Sequence, residues 1–367
     1  MLQARNLPFV RRLARSPRLM HSGLAVLGAL LLLALFFVAL FFIALSHGPI
    51  PLAFADVWQS LLNAVSAADI HGQGDWVVRE LRLPRALMAM VIGAGLAVAG
   101  VVTQGVFRNP LADPGLIGVS SGAALAAVAV IVLSNGALTF WVEWTGVFAL
   151  PLAAFIGALL VSLIIYRLGT VNGQTQVAML LLAGVAINVI AGALTGILTY
   201  VADDQQLRSM TFWSMGSLAY GRWPEIGALL VCVVLPLLWL PRFSRLLNAL
   251  LMGEAVASHL GFNVQRGKFL LLAAAALMVG ASVAVAGMIG FIGLVVPHLM
   301  RLLLGPDHRQ LLPASMLCGA MLLLLADLIA RSWLAPADLP VGLIMAIMGG
   351  PVFLLLLLQQ MKSARAG

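Results

Sequence analysis

The sequence predicts an all-α polytopic membrane protein with about ten transmembrane helices, and three observations carry that expectation. Of 367 residues, 62% are hydrophobic and only 9% charged, against roughly 25% charged in soluble domains. The apolar residues run in long continuous blocks instead of alternating, which fits spanning helices and excludes a lipid-facing β-barrel. The charges lie between the blocks, with an asymmetry that assigns each loop to a side.

The first block, Leu24 to Leu45, has 22 residues without a charge, enough to cross a hydrocarbon core of about 30 Å. Arg5, Arg11, Arg12, Arg15 and Arg18 precede it as in a signal peptide, but the block is too long for a cleaved h-region and reads as an anchor. Further blocks lie near 86–107, 115–134, 147–168, 177–202, 226–240, 269–304, 311–333 and 340–358. The 269–304 block is too long for one crossing. Gly287, Gly290, Gly293 and Pro297 are expected to break it into a helix and a shorter helix, giving about ten spans.

An even count places both termini on one side, cytoplasmic by their basic residues, Lys362 and Arg365 included. On that assignment 15 of the 21 Lys and Arg residues lie inside, and nine acidic residues, among them Asp56, Asp75, Glu80 and Asp203, lie outside. The chain divides into a basic N-terminal segment 1–23, a single transmembrane domain 24–360 and a cytoplasmic tail 361–367. Small residues at Gly192 and Gly196, and at Gly93, Gly95 and Gly100, suit close helix packing.

The net charge of +8 is scattered over short loops, so membrane orientation explains it and nucleic acid does not. Cys232 and Cys318 both lie in apolar blocks, which leaves no disulfide framework and no metal-binding spacing. The string Gly261 to Phe269 approaches a P-loop. It has one residue too many between its glycines and Phe269 where a Ser or Thr must hold Mg²⁺, so ATP belongs to a partner. No HExxH signature and no paired intramembrane carboxylates appear, and no catalytic or metal-ligating residue is assigned. The polar loop 242–268 reads as two short surface helices, an amphipathic connector or a docking element for a cytoplasmic partner.

Four collinear stretches, Arg82 to Leu125, Gly253 to Val264, Gly290 to Ser315 and Ala337 to Phe353, resemble the permease subunits of iron-siderophore, heme and vitamin B12 importers of the ATP-binding-cassette class. The resemblance runs from about residue 79 to 358 and implies a vitamin B12-importer-like permease fold. It also implies a homodimer in the bacterial inner membrane, two cytoplasmic ATPase subunits that hold ATP and Mg, and a periplasmic binding protein for the cargo. It assigns ATPase coupling to Gly253, Glu254, His259, Leu260 and Gly261. A cytoplasmic gate falls on Asn109 and Leu111, and a second on Thr175, Gln176, Val177 and Ala178. Binding-protein docking falls on Arg82, Arg85 and Arg331, extended here to Arg79.

Within the family, the stretch from Leu181, with Thr199 to Arg208, is most similar to heme permeases. Tyr200 and Arg208 are therefore candidate contacts at the periplasmic mouth, with a ferric siderophore or cobalamin as alternative cargo. An ion-coupled secondary transporter is the rival from another class. It calls for acidic residues in broken helices near the midplane, where the sequence offers Asp327.

Overall fold

The computed structural model describes residues 23–48, 50–66, 69–219, 221–334 and 337–366; the basic segment with Arg5 to Arg18 lies outside the described residues. Among these residues six helices are long and apolar enough to cross a membrane, and four shorter apolar helices accompany them, which matches the expected ten.

The helices are α1 (Gly23–Ser46), α2 (Phe54–Val65), α3 (Gly72–Trp76), α4 (Leu83–Phe107), α5 (Val119–Leu133), α6 (Thr139–Thr145), α7 (Ala149–Leu168) and α8 (Val177–Val201). They continue as α9 (Asp204–Ser214), α10 (Trp223–Leu229), α11 (Leu235–Trp239), α12 (Ser244–Leu251), α13 (Glu254–His259), α14 (Val264–Ala286), α15 (Ile292–Leu304), α16 (His308–Trp333) and α17 (Val341–Ala366). A two-stranded hairpin, β1 (Thr170–Val171) and β2 (Gln174–Thr175), is the only β-structure among the described residues.

The bundle is built around α4. Its surroundings are α14, α15 and α16, and every residue from Ile92 to Phe107 is buried. Lipid supplies no hydrophobic drive between helices, so close packing has to do the work. Two pairs of glycines do it here. A Cβ on Gly100 would collide with the backbone of Gly293, and one on Gly93 with the carbonyl of Gly319, which meets Gly93 reciprocally.

Gly192 and Gly196 behave differently from expectation: a Cβ on either would meet nothing within 4 Å. They lie on α8, whose most apolar window is only 17% buried, against 83% for the span that contains α4. Spacing alone did not separate the two cases, because it names a face and not what covers it.

The chain breaks where expected after Ala286, but over a shorter stretch. Gly287 and Phe291 take positive φ of 70° and 69°, while Gly293 and Pro297 sit inside α15. Proline explains two further irregularities. Wide π turns, Val77–Arg82 and Leu230–Val234, run directly into Leu83-Pro84 and Leu235-Pro236. The proline nitrogen cannot donate and its ring crowds the carbonyl four residues back, so the preceding turn widens.

Candidate functional site

Three segments far apart in sequence meet at the end that carries residues 242–268, the inner end on the positive-inside reading. The hairpin pairs Thr170 with Thr175. Its turn residues Asn172 and Gly173 have φ of 51° and 74°, the two positive values that a two-residue hairpin needs and Asn-Gly readily adopts. This turns Thr175 inward, 3% exposed, and leaves Gln176 and Ala178 exposed with Val177 half-buried.

The loop 242–268 forms two short surface helices as expected. Helix α12 buries Leu246, Leu247 and Leu250. Gly253, with φ 114°, turns the chain into α13. Beyond Ala257, which is buried, α13 leads to Leu260, exposed, and Gly261, φ 86°. Leu251, Met252, Val256 and Leu260 are all exposed and leave an apolar surface on an otherwise polar loop.

Lys268, in the first turns of α14, joins these parts. It is completely buried, and its Nζ donates to the Thr175 carbonyl at 2.5 Å and to Glu254 Oε2 at 2.8 Å. Gln265 adds a parallel connection: its Oε1 accepts from the Thr175 N–H at 2.9 Å, and its Nε2 lies 3.5 Å from Glu254 Oε2. A second clip fastens α12 to the turn before α16. Asn248 Nδ2 donates to Asp307 Oδ1 at 2.7 Å, and Asn248 Oδ1 accepts from the His308 N–H at 2.9 Å. Burial alone would raise the Asp307 carboxyl, but the Arg309 N–H, the Asn248 amide and the nearby cations hold it below its ordinary pKa.

The remaining inner-end turn follows α4. Arg108 is left-handed, φ 50°, and the Asn109 Oδ1 accepts from the Leu111 N–H at 3.0 Å, an Asx turn that shapes the loop before α5. Asp113 caps the next turn by accepting from the Gly115 N–H at 2.7 Å, and burial pushes its carboxyl up.

At the opposite end, four arginines were expected to face outward. The structure turns all four largely into the protein, with no side chain more than 15% exposed. Arg82, 5% exposed, donates to the carbonyls of Leu45, Ser46 and Ile50. Arg85 Nε and Nη1 meet Asp327 at 2.8 Å and Asp338 at 2.7 Å. Arg331 donates to the Ala44 carbonyl and lies 3.7 Å from Asp327, its i,i+4 neighbour. Arg79 sits 3.5 Å from Asp75. The π turn ahead of Pro84 carries Arg82 toward α1, and these bonds fasten the outer end of α1 to α4 and α16.

Tyr200 is 91% exposed at the end of α8, and Arg208 is exposed on α9. Neither lines the nearby outer cavity of about 840 Å³, whose polar walls include Asn135, Asp203, Gln206, Ser217 and Asp338. Asp203 and Gln206 form a capping box at the start of α9, Gln206 N–H to Asp203 Oδ1 at 2.8 Å and the return bond at 3.0 Å. That part of the heme-like stretch thus has a structural task of its own.

A model of the FecCD transport family matches residues 24–359. The chain belongs to the FecCD transport family. It is a permease subunit of an ATP-binding-cassette importer, a multi-pass membrane transporter. It is 45% identical over 325 residues to the hemin transport system permease protein HmuU of Yersinia pestis, covering 87% of this chain and 92% of that one. It is 42% identical over 313 residues to the vitamin B12 import system permease protein BtuC of Salmonella paratyphi A, covering 83% and 92%. A solved inward-facing structure, assigned to the metal-chelate type of ABC transporter, superposes with a TM-score of 0.77 at 32% identity, covering 90% of this chain and 99% of that one.

Sequence reasoning about the permease missed Lys268, Gln265 and Asn248. Lys268 lies within the string that fails as a nucleotide motif. A signal was present: the chain has just two lysines, Lys268 and Lys362, and the first abuts an apolar block. A further string, Gly118 to Gly122, has the G-x-S-x-G form that presents a serine nucleophile on a strand-to-helix turn. No strand precedes it here. The serine of that form is Ser120; its neighbour Ser121 donates to Asn188 Oδ1 at 2.6 Å, and a Cβ on Gly122 would strike the Gly157 carbonyl, so the string serves helix packing.

Proposed function

We propose that this permease carries heme from periplasm to cytoplasm across a bacterial inner membrane, as a homodimer with both termini cytoplasmic. Two separate ATPase subunits bind and hydrolyse Mg-ATP, and a periplasmic binding protein delivers the heme. The observation that carries the heme reading is the 45% identity to a hemin permease over 87% of the chain.

A cobalamin import permease of Halobacterium salinarum has the same 45% identity over 77% of the chain, which makes cobalamin the second reading. The exposed face of α8, with Leu182, Val185, Val189 and Ile197 beside the open Gly192 and Gly196, supports pairing with a second copy around the path. The exposed Leu251, Met252, Val256 and Leu260, with Gly253, Glu254, His259 and Gly261, support docking of the ATPase. In alternating access, such a surface helix turns nucleotide-driven closure of the motor into movement of the spans. The gate elements are Asn109, Leu111 and Thr175 to Ala178.

On the outer side, docking of the binding protein falls on Arg79 and on the Arg85–Asp338 pair, whose aspartate side chain is 35% exposed. Arg82 and Arg331 serve that surface by holding its shape. Tyr200 and Arg208 contact heme at the mouth of the dimer path and not in the carboxylate-bearing cavity within one subunit.

The test is uptake by vesicles holding the assembled complex and its binding protein, offered heme, a ferric hydroxamate and cobalamin in parallel. ATP-dependent accumulation of heme is expected. Accumulation of either competitor with none of heme refutes the heme reading and leaves the family membership standing.

A further inference from the structure

We infer that Lys268 is a positioning residue that transmits movement of α13 to the hairpin gate, by tying Glu254 to the Thr175 carbonyl while Gln265 holds the Thr175 N–H. The inference rests on the importer reading above and adds the connection between its two inner-end parts.

An ammonium has three N–H donors and no acceptor, and burying one without partners is strongly unfavourable. Lys268 is fully buried and finds two acceptors, one on the gate and one on the coupling helix. An apolar side chain would fill the same space at least as stably, since buried ion pairs contribute little net stability. What the pair adds is direction. Gln265 and Lys268 are three residues apart on one face of α14. Between them they hold the N–H and the carbonyl of Thr175, and both reach the same oxygen of Glu254.

The Glu254 side chain is 34% exposed and Lys268 is not exposed at all. A partner on the inner surface can therefore displace Glu254 directly, and the buried pair carries that displacement to Thr175. Gly253, at φ 114°, is the joint that lets α13 turn against α12, which is pinned by its buried leucines and Asn248. Beyond the gate, the Tyr166 hydroxyl lies 3.2 Å from Thr175 Oγ1, and the Tyr166 ring packs on Phe269. The connection thus runs from α13 through the hairpin to the inner end of α7.

The experiment uses the whole complex, with its ATPase subunits and binding protein, in proteoliposomes, and reads cargo imported per ATP hydrolysed. Lys268→Met keeps the length of the side chain and removes the charge and donors. It is expected to co-purify with the ATPase and hydrolyse ATP near the wild-type rate, while import per ATP falls about 10-fold, within the usual range of coupling between sites. Lys268→Arg, which keeps a cationic donor, should recover a large part of that loss, as a mere change of packing would not allow. Gln265→Ala removes the parallel connection and leaves the ion pair. It should lower import per ATP about 3-fold, and it gives a second reading should the methionine variant fail to assemble.

Assembled Lys268→Met or Gln265→Ala complexes with the wild-type yield per ATP would overturn the inference, as would an arginine variant no better than the methionine one. A wild-type complex that imports nothing with ATP would instead refute the importer reading itself, so the two failures are distinguishable.

Discussion

Replacing Asp327 with leucine is expected to destabilise the permease by about 3 to 5 kcal/mol, the usual cost of breaking a buried ion pair from one side. The carboxylate is 1% exposed and stands between Arg85 and Arg331. Without it two guanidiniums remain in an apolar bundle, and the hold of Arg331 on the Ala44 carbonyl loses its counter-charge. Asp338→Asn removes the other acidic partner of Arg85, but that side chain is 35% exposed. Its cost should stay within about 1 kcal/mol, as for solvent-exposed pairs. Thermal unfolding of the purified subunit in detergent compares the two. Equal effects would show that Asp327 does not organise the outer end.

Gly100→Val should cost at least about 3 kcal/mol, the upper range for overpacking a filled core. The added Cβ meets the backbone of Gly293, which cannot rotate out of the way as a side chain could. Helices α4 and α15 must then separate, and α4 is the element on which the rest of the bundle is built. Gly227→Ala is the matched control, because its Cβ meets nothing within 4 Å. Helix propensity predicts that this change is neutral or stabilising by about 1 kcal/mol. The same melting measurement reads both, and a stable Gly100→Val subunit would contradict the packing described.

The spans were legible because each is an apolar block bounded by charges or turn residues, and the two surface helices of 242–268 because Gly253 and Gly261 punctuate them. The hairpin was announced by Asn172-Gly173 but hidden by its length, two residues on each side. What could not be read was the direction of side chains. Arg82 was placed at the correct end by topology, yet the π turn ahead of Pro84 points it at α1 and not at solvent. Gly93 and Gly192 are alike in sequence and opposite in surroundings, since one faces Gly319 and the other faces away from the subunit. Lys268 escaped because its partners lie 93 and 14 residues away, and no local pattern connects Thr175 with Glu254. The positions assigned to coupling and to the second gate came from the family resemblance, and only the folded chain brings them into one node.

The most direct test of the account is the source of energy for transport. Vesicles containing the permease, its ATPase and its binding protein would be loaded with ATP or with a non-hydrolysable analogue, with and without a protonophore. The account predicts heme uptake that requires hydrolysable ATP and is indifferent to the protonophore, because Asp327, the most deeply buried acidic residue among the described residues, is held by two arginines. Uptake without ATP that collapses when the proton gradient is removed would contradict it and favour an ion-coupled carrier.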